Sequence, residues 1–355
     1  MKEASTTDIG ILKTIWRRDV SGSWIVHDVQ SLDLKPRRGF SSNYFKIEPK
    51  LDMMTNRPGA IMDNLFSSFG TTDFLVRQSV VPIVAWNEGD RVIKCIGTGF
   101  FISASGLLMT AAHVIRDPID EGYSKLTTSK VGARTYDQSL RYGVIIPGNP
   151  AMKNAPFNIP PQAREAKWFM CPFEWTNHWG KEVESPLFHE KAEFKLKLDI
   201  AICKVREHPL IGPYQPLNIG PHSLKVGDRA VAIGYAEMEN IRFDAGDENQ
   251  PELLVSVGSV TKLIVDNETE KQNYTPGPNF EFDAKIPGKM SGSPILVGSG
   301  ILAKGVVSRS WQGENLASGC LVASAMNFPI STGVSLFDAM KSGNEGIARF
   351  GNGDI

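Results

Sequence analysis

Gly97-Thr98-Gly99-Phe100-Phe101-Ile102-Ser103, followed across Ala104-Ser105-Gly106 by Leu107-Leu108-Met109-Thr110-Ala111-Ala112-His113-Val114, is the most informative stretch of the chain. It reads as two strands joined by a tight turn. Glycines inside a strand mark a bend or a close backbone approach, as at a barrel corner. The second strand ends in two alanines, which leave room for close packing around the imidazole that follows. A single His at a strand end is more often structural than catalytic, so the stretch by itself decides the architecture and not the chemistry.

Working outward, 79–86 is short and β-branched, and Asn87-Glu88-Gly89-Asp90 has the composition of a hairpin turn. Residues 91–103 then form a long strand. Further strands are predicted at 199–205, 229–235, 253–264, 294–297, 301–308 and 320–323, with turns between them. Helical periodicity appears only at 330–340. Many short strands at this spacing predict an all-β barrel or sandwich. No repeat of fixed period is visible, although two similar barrels would not need one. Residues 1–75 are irregular and form an N-terminal extension of unknown role. Residues 76–340 form the main domain, with an insertion at about 120–190, and 341–355 form a C-terminal tail. Within 120–190, Pro147, Pro150, Pro156, Pro160, Pro161 and Pro172 are expected to break any long element. Trp168, Phe169, Phe173, Trp175 and Trp179 form an aromatic patch that reads as strand packing or as a partner-binding surface.

Composition removes several function classes. The 355 residues carry 38 basic and 39 acidic side chains, a net charge of −1, so no bulk attraction to nucleic acid or an anionic membrane is expected. The four cysteines, Cys95, Cys171, Cys203 and Cys320, are too few for a disulfide-built scaffold, and none forms a C-x-x-C pair. No metal site or cofactor is expected. The uncharged run at 96–115 contains three Gly, two Ser, two Thr and a His, which suits strands and turns rather than a membrane span. The start of the chain has no signal-peptide core. These readings predict a cytoplasmic protein with reduced thiols.

Two further segments carry chemistry. Leu198-Asp199-Ile200-Ala201-Ile202-Cys203-Lys204-Val205 places a carboxylate at the mouth of an apolar strand. Such a group is costly unless it is paired or hydrogen-bonded, and as an isolated feature it reads as a strand-start cap. Pro287-Gly288-Lys289-Met290-Ser291-Gly292-Ser293-Pro294 is a tight turn that holds a Ser just before a strand. Such a turn can aim backbone N–H groups at one point, as an oxyanion hole requires, although the string is also a plain turn. The order is His113, Asp199, Ser291, with separations of 86 and 92 positions. A Ser hydroxyl needs a base, and the base needs a carboxylate that fixes its tautomer. The three segments supply one candidate for each role.

Thr110-Ala111-Ala112-His113, Asp199-Ile200-Ala201 and Ser291-Gly292-Ser293-Pro294, in that order, resemble the His, Asp and nucleophile motifs of trypsin-like (chymotrypsin-fold) serine proteases. The likeness is to bacterial members and to the protease domain of the HtrA type. Residues 226–235 and 257–260 are similar to second-barrel strands of that family, and Gly305-Val306-Val307-Ser308 to the strand that pairs with an extended substrate. The resemblance covers about 79–337. It implies two six-stranded antiparallel barrels with the site between them, an N-terminal extension, a short C-terminal helix and no cofactor. It also implies serine endopeptidase activity on protein or peptide substrates. His113, Asp199 and Ser291 would be catalytic, and the N–H groups of Lys289 and Ser291 would form the oxyanion hole. Ser308, Arg309 and Ser310 would bind substrate. Lys285, six residues before the nucleophile, would lie where the primary pocket has its floor and favour an acidic side chain; it reads equally well as a solvated lysine.

The sequence departs from the family at one telling position. Residue 289 is Lys where Gly is usual, so a turn that needs positive φ there would be strained. Three functional expectations follow. The first is an active endopeptidase. The second is a protease-fold module that binds a peptide or protein partner without cleaving it. The third is a latent enzyme activated by a protein partner bound to residues 1–75 or to the aromatic patch.

Overall fold

The computed structural model describes residues 79–90, 92–116, 140–147, 168–183, 193–206, 214–220, 224–236, 240–242, 253–265, 275–297, 302–311 and 315–343, with short strands at 14–18, 24–28, 34–36, 44–47, 127–128 and 134–135. The first six long strands are β1 (Val80–Asn87), β2 (Val92–Phe101), β3 (Leu107–Thr110), β4 (Leu140–Pro147), β5 (Trp168–Val183) and β6 (Glu193–Val205). They pair antiparallel in the order β2-β1-β4-β5-β6-β3, and β3 pairs back onto β2 to close a barrel. The next six are β7 (Arg229–Tyr235), β8 (Leu253–Ile264), β9 (Asn279–Phe282), β10 (Pro294–Val297), β11 (Leu302–Ser310) and β12 (Ala317–Leu321). They close antiparallel in the order β8-β7-β10-β11-β12-β9. Numbered within each barrel, the two circuits are the same, 2-1-4-5-6-3. The expected pair of six-stranded barrels is therefore present.

The local turns follow from residue type. Asp90 donates to the Asn87 carbonyl at 3.0 Å, and Gly89 takes φ +92, so Asn87–Asp90 forms the predicted hairpin turn. A Cβ on Gly99 would lie 2.5 Å from the Leu108 side chain, which is the close approach its place in a strand suggested. The core is continuous across the barrel contact. Ile83, Phe100, Phe101, Leu108 and Ile202 of the first barrel share a buried cluster with Val231, Tyr235 and Leu296 of the second. The second barrel has its own interior of Phe280, Phe282, Ile295 and Val307. Each fully buried side chain of this size contributes roughly 1.5–3 kcal/mol.

Four boundaries differ from the sequence reading. Asp199 lies inside β6, not at its mouth. The stretch expected as an insertion contains β4 and β5, without which the first barrel does not close. Pro172 is tolerated within β5 because the pairing with β6 shifts register between Phe173 and Trp175, next to it. Residues 322–325, partly expected as strand, form a 3-10 turn after β12. The C-terminal helix α2 (Leu336–Gly343) begins at Leu336, not at 330. Pro329–Ser331 and Val334–Ser335 pair first, across a turn in which Gly333 takes φ +74. Ser335 then caps the helix, its Oγ accepting the Asp338 N–H at 3.1 Å while Asp338 Oδ2 accepts the Ser335 N–H.

The segment after β12 is clasped to the first barrel. Trp179 on β5 donates through Nε1 to the Pro329 carbonyl at 2.9 Å, and its ring meets Phe328 at 5.0 Å between centroids. Lys197 on β6 places its ammonium 4.8 Å from the centre of the same Phe328 ring. Within residues 1–75, strands 34–36 and 44–47 pair with each other, and the second adds to β8. The strands at 14–18 and 24–28 form a separate pair. Residues 344–355, and so nearly all of the expected tail, lie outside the described residues.

Candidate active site

The site grows from the connection between the third and fourth strands of each barrel. In the first barrel, β3 ends at Thr110 and His113 follows in a short helical turn, α1 (Ala112–Arg116). In the second, β9 ends at Phe282, and Ser291 precedes β10 by three residues. Asp199 arrives on β6, which pairs with β3 through Ala201 and Thr110.

Asp199 is 3% exposed. Three donors surround its carboxylate. The His113 backbone N–H donates to Oδ1 at 3.0 Å, and His113 Nδ1 lies 2.8 Å from Oδ2. Ser308 Oγ donates to Oδ2 from β11 of the other barrel. Burial works to raise the Asp199 pKa. The His113 charge opposes it, and the bonds from His113 and Ser308 add to that opposition, so the carboxyl ends below its ordinary value of 3.8. An ionised Asp199 makes Nδ1 the protonated ring nitrogen and leaves Nε2 as the basic one. The His113 side chain is 37% exposed, so the ring is held by Asp199 while part of it faces solvent.

The Ser291 turn is shaped by two successive reversals. Met290 N–H reaches the Pro287 carbonyl at 3.4 Å, and Ser293 N–H reaches the Met290 carbonyl at 3.0 Å. Each reversal carries positive φ at its third residue, +74 at Lys289 and +87 at Gly292, the type II pattern. Among the described residues, Lys289 is the only non-glycine with positive φ. The strain that its residue type implied is therefore present. Gly292 is required for space as well as for φ, since a Cβ there would lie 2.1 Å from both the Thr98 carbonyl and Thr110 Oγ1.

A ring of contacts joins the three segments. Thr98 N–H donates to the Ser291 carbonyl at 2.9 Å, and Gly292 N–H donates to the Val307 carbonyl at 2.8 Å. Val307 precedes Ser308, which holds Asp199, which holds His113. Val114, next to His113, packs over Gly97, where a Cβ would lie 2.7 Å from its Cγ1 and 3.0 Å from the Ser291 carbonyl. His113 and Asp199 are thus bonded directly, and Ser291 joins them through its backbone.

The other expected residues are placed differently. Lys285 is partly buried, and its carbonyl accepts Ser256 Oγ at 2.6 Å. Arg309 is exposed and Ser310 half-buried, on the part of β11 that pairs with Ser318 and Ala317. Ser308, read from sequence as a substrate contact, turns its hydroxyl to Asp199. Sequence reasoning missed Thr98, whose signal was a hydroxyl between two glycines of an apolar strand, and Cys320, which packs beside Asp199. Burial pushes the Cys320 thiol well above its ordinary value, with the Asp199 charge adding to the effect, and pushes Cys171 up to about 11. Burial therefore favours the protonated form of both thiols. Among the described residues, no cluster of His, Cys, Asp and Glu could hold a metal, and no helix is long and apolar enough to cross a membrane.

A family model described as a trypsin-like peptidase domain matches residues 97–302. Among solved structures, the chain is similar to Deg5, with 18% identity and a TM-score of 0.40 over 70% of this chain and 88% of that one. It is similar to Rv3671c protease from M. tuberculosis in its active form, with 18% identity and a TM-score of 0.36 over 70% and 77%. No curated protein sequence matches it significantly.

Proposed function

The chain belongs to the trypsin-like peptidase domain family, and from that premise we propose that it is a serine endopeptidase acting through Ser291, His113 and Asp199. The observation that carries the reading is the buried Asp199 carboxylate, bonded to the backbone and ring of His113 on the strand circuit that also docks the Ser291 turn. Ser291 Oγ attacks the scissile carbonyl and its proton passes to His113 Nε2. The oxyanion is held by the N–H groups of Lys289 and Ser291. His113 returns the proton to the leaving amine, and water then cleaves the acyl-enzyme by the same route. Substrate main chain would add as a strand along Ser308, Arg309 and Ser310. Lys285 would favour an acidic side chain next to the cleaved bond. A peptide library cut without preference for Asp or Glu overturns that last point.

A fluorophosphonate probe tests the core of the reading. Labelling of the wild type, absent in Ser291→Ala, is the expected result. A chain that is never labelled, with or without candidate partners, is instead a binding module. Activation by a partner at residues 1–75 belongs to the same reading, motivated by the strained Lys289 turn. Full activity that survives deletion of residues 1–70 unchanged overturns it. The setting we propose is cytoplasmic, supported by four cysteines held singly in the core.

A further inference from the structure

Thr98 is completely buried and belongs to the first barrel, yet most of its polar contacts reach into the second. Its N–H donates to the Ser291 carbonyl at 2.9 Å. Its Oγ1 accepts the Tyr235 N–H of β7 at 3.0 Å. The single hydroxyl proton then has two acceptors in reach, the Lys289 carbonyl at 3.0 Å and the Tyr235 carbonyl at 3.3 Å, of which Lys289 is the nearer. The Thr98 carbonyl accepts Thr110 Oγ1 at 2.7 Å, three residues before His113.

The Lys289 carbonyl is the point that matters. Lys289 sits at φ +74, a conformation that a side chain disfavours. Left to itself, such a residue relaxes by rotating about N–Cα, which turns the peptides on its two sides relative to each other. The Thr98 hydroxyl pins the carbonyl of the Lys289–Met290 peptide, and the N–H of that same peptide reaches the Pro287 carbonyl, so this unit is held at both edges. We infer that Thr98 is a positioning residue that holds the strained Lys289–Met290 peptide, and with it the Ser291 turn, in place, so that a lysine can stand where the turn favours glycine. The catalytic side of this inference rests on the peptidase reading above, and the conformational side does not.

Thr98→Val keeps the shape and removes the hydroxyl. It is expected to slow fluorophosphonate labelling of the full chain at least tenfold, while Thr98→Ser restores the rate to within threefold of wild type. In a Lys289→Gly background the strain is gone, so Thr98→Val is expected to cost threefold or less relative to that parent. The Lys289 amide resonance, read by 15N NMR, is expected to shift or broaden in Thr98→Val and to stay in place in Thr98→Ser. A Thr98→Val rate within threefold of wild type, an unmoved Lys289 resonance, or an equal loss in both backgrounds each overturns the inference. If Thr98→Val does not fold, Thr98→Cys, with its weaker donor, is read by the same criteria. If wild type is never labelled, the peptidase reading fails, and the Lys289 resonance alone decides the role of Thr98.

Discussion

The two barrels follow one strand circuit and place their chemistry on the same connection, yet they hold it in different ways. In the first barrel, three donors converge on Asp199, two from His113 and one from Ser308 across the barrel contact, and all are set by strands and a short helical turn. In the second, Ser291 sits between two residues of positive φ, one of them a lysine, and the turn is tied to strands on both sides. The contrast teaches that the His113–Asp199 pair is over-determined, whereas the Ser291 turn is held against local preference by neighbours.

The largest test strikes the over-determined half. Asp199→Asn should leave the fold intact and reduce kcat by about 10⁴-fold, because an amide no longer fixes the productive imidazole tautomer. A loss under tenfold, measured with any cleaved peptide, would mean that His113 does not depend on its partner. Gly292→Ala strikes the other half. A Cβ driven toward the Thr98 carbonyl at φ +87 should cost about 3 kcal/mol of stability. It should also displace Ser291 enough to lower labelling about 100-fold. Wild-type urea unfolding and labelling in this variant would show that the turn is pliable after all.

A smaller effect links the barrels. Ser308→Ala removes one donor from buried Asp199 and should cost about 1–3 kcal/mol at pH 7. The native Asp199 pKa lies below 3.8, so its contribution is present above that value and fades as pH falls through the native one. The variant raises the native value, so the gap between the two chains should narrow under acid conditions. A gap independent of pH would assign the loss to packing. The smallest effect is a gain. Lys289→Gly should stabilise the chain by about 1 kcal/mol, a rise in Tm of roughly 2–4 °C. Unchanged or lower stability would show that the lysine side chain compensates for its backbone.

The motifs were legible as a set. Two alanines before a His, an Asp read at the mouth of an apolar strand and a Ser-Gly in a tight turn are each ambiguous alone, and it was their order along the chain that made them readable. The strained Lys289 was readable from residue type, since only a side chain's clash with its backbone was needed to foresee it. What was hidden depended on distant partners. β5 carries Pro172 and a register shift, so its pattern looks broken until β4 and β6 lie beside it. Gly143 faces Cys171 so closely that a Cβ would lie 2.5 Å from its carbonyl, a requirement visible only once the strands meet. The Ser308 hydroxyl could equally have faced a substrate, and only the crossing of β11 past β6 turned it to the carboxylate.

The clasp of Trp179 on Phe328 and Pro329 spans about 150 positions of the chain. During synthesis the indole leaves the ribosome long before its partners do, and domains tend to condense from the N-terminus. The first cylinder must therefore wait with that flank bare until residues 328–329 have emerged. Loss of the segment around Phe328 and Pro329 would thus be felt on the opposite half of the molecule, as an uncovered tryptophan.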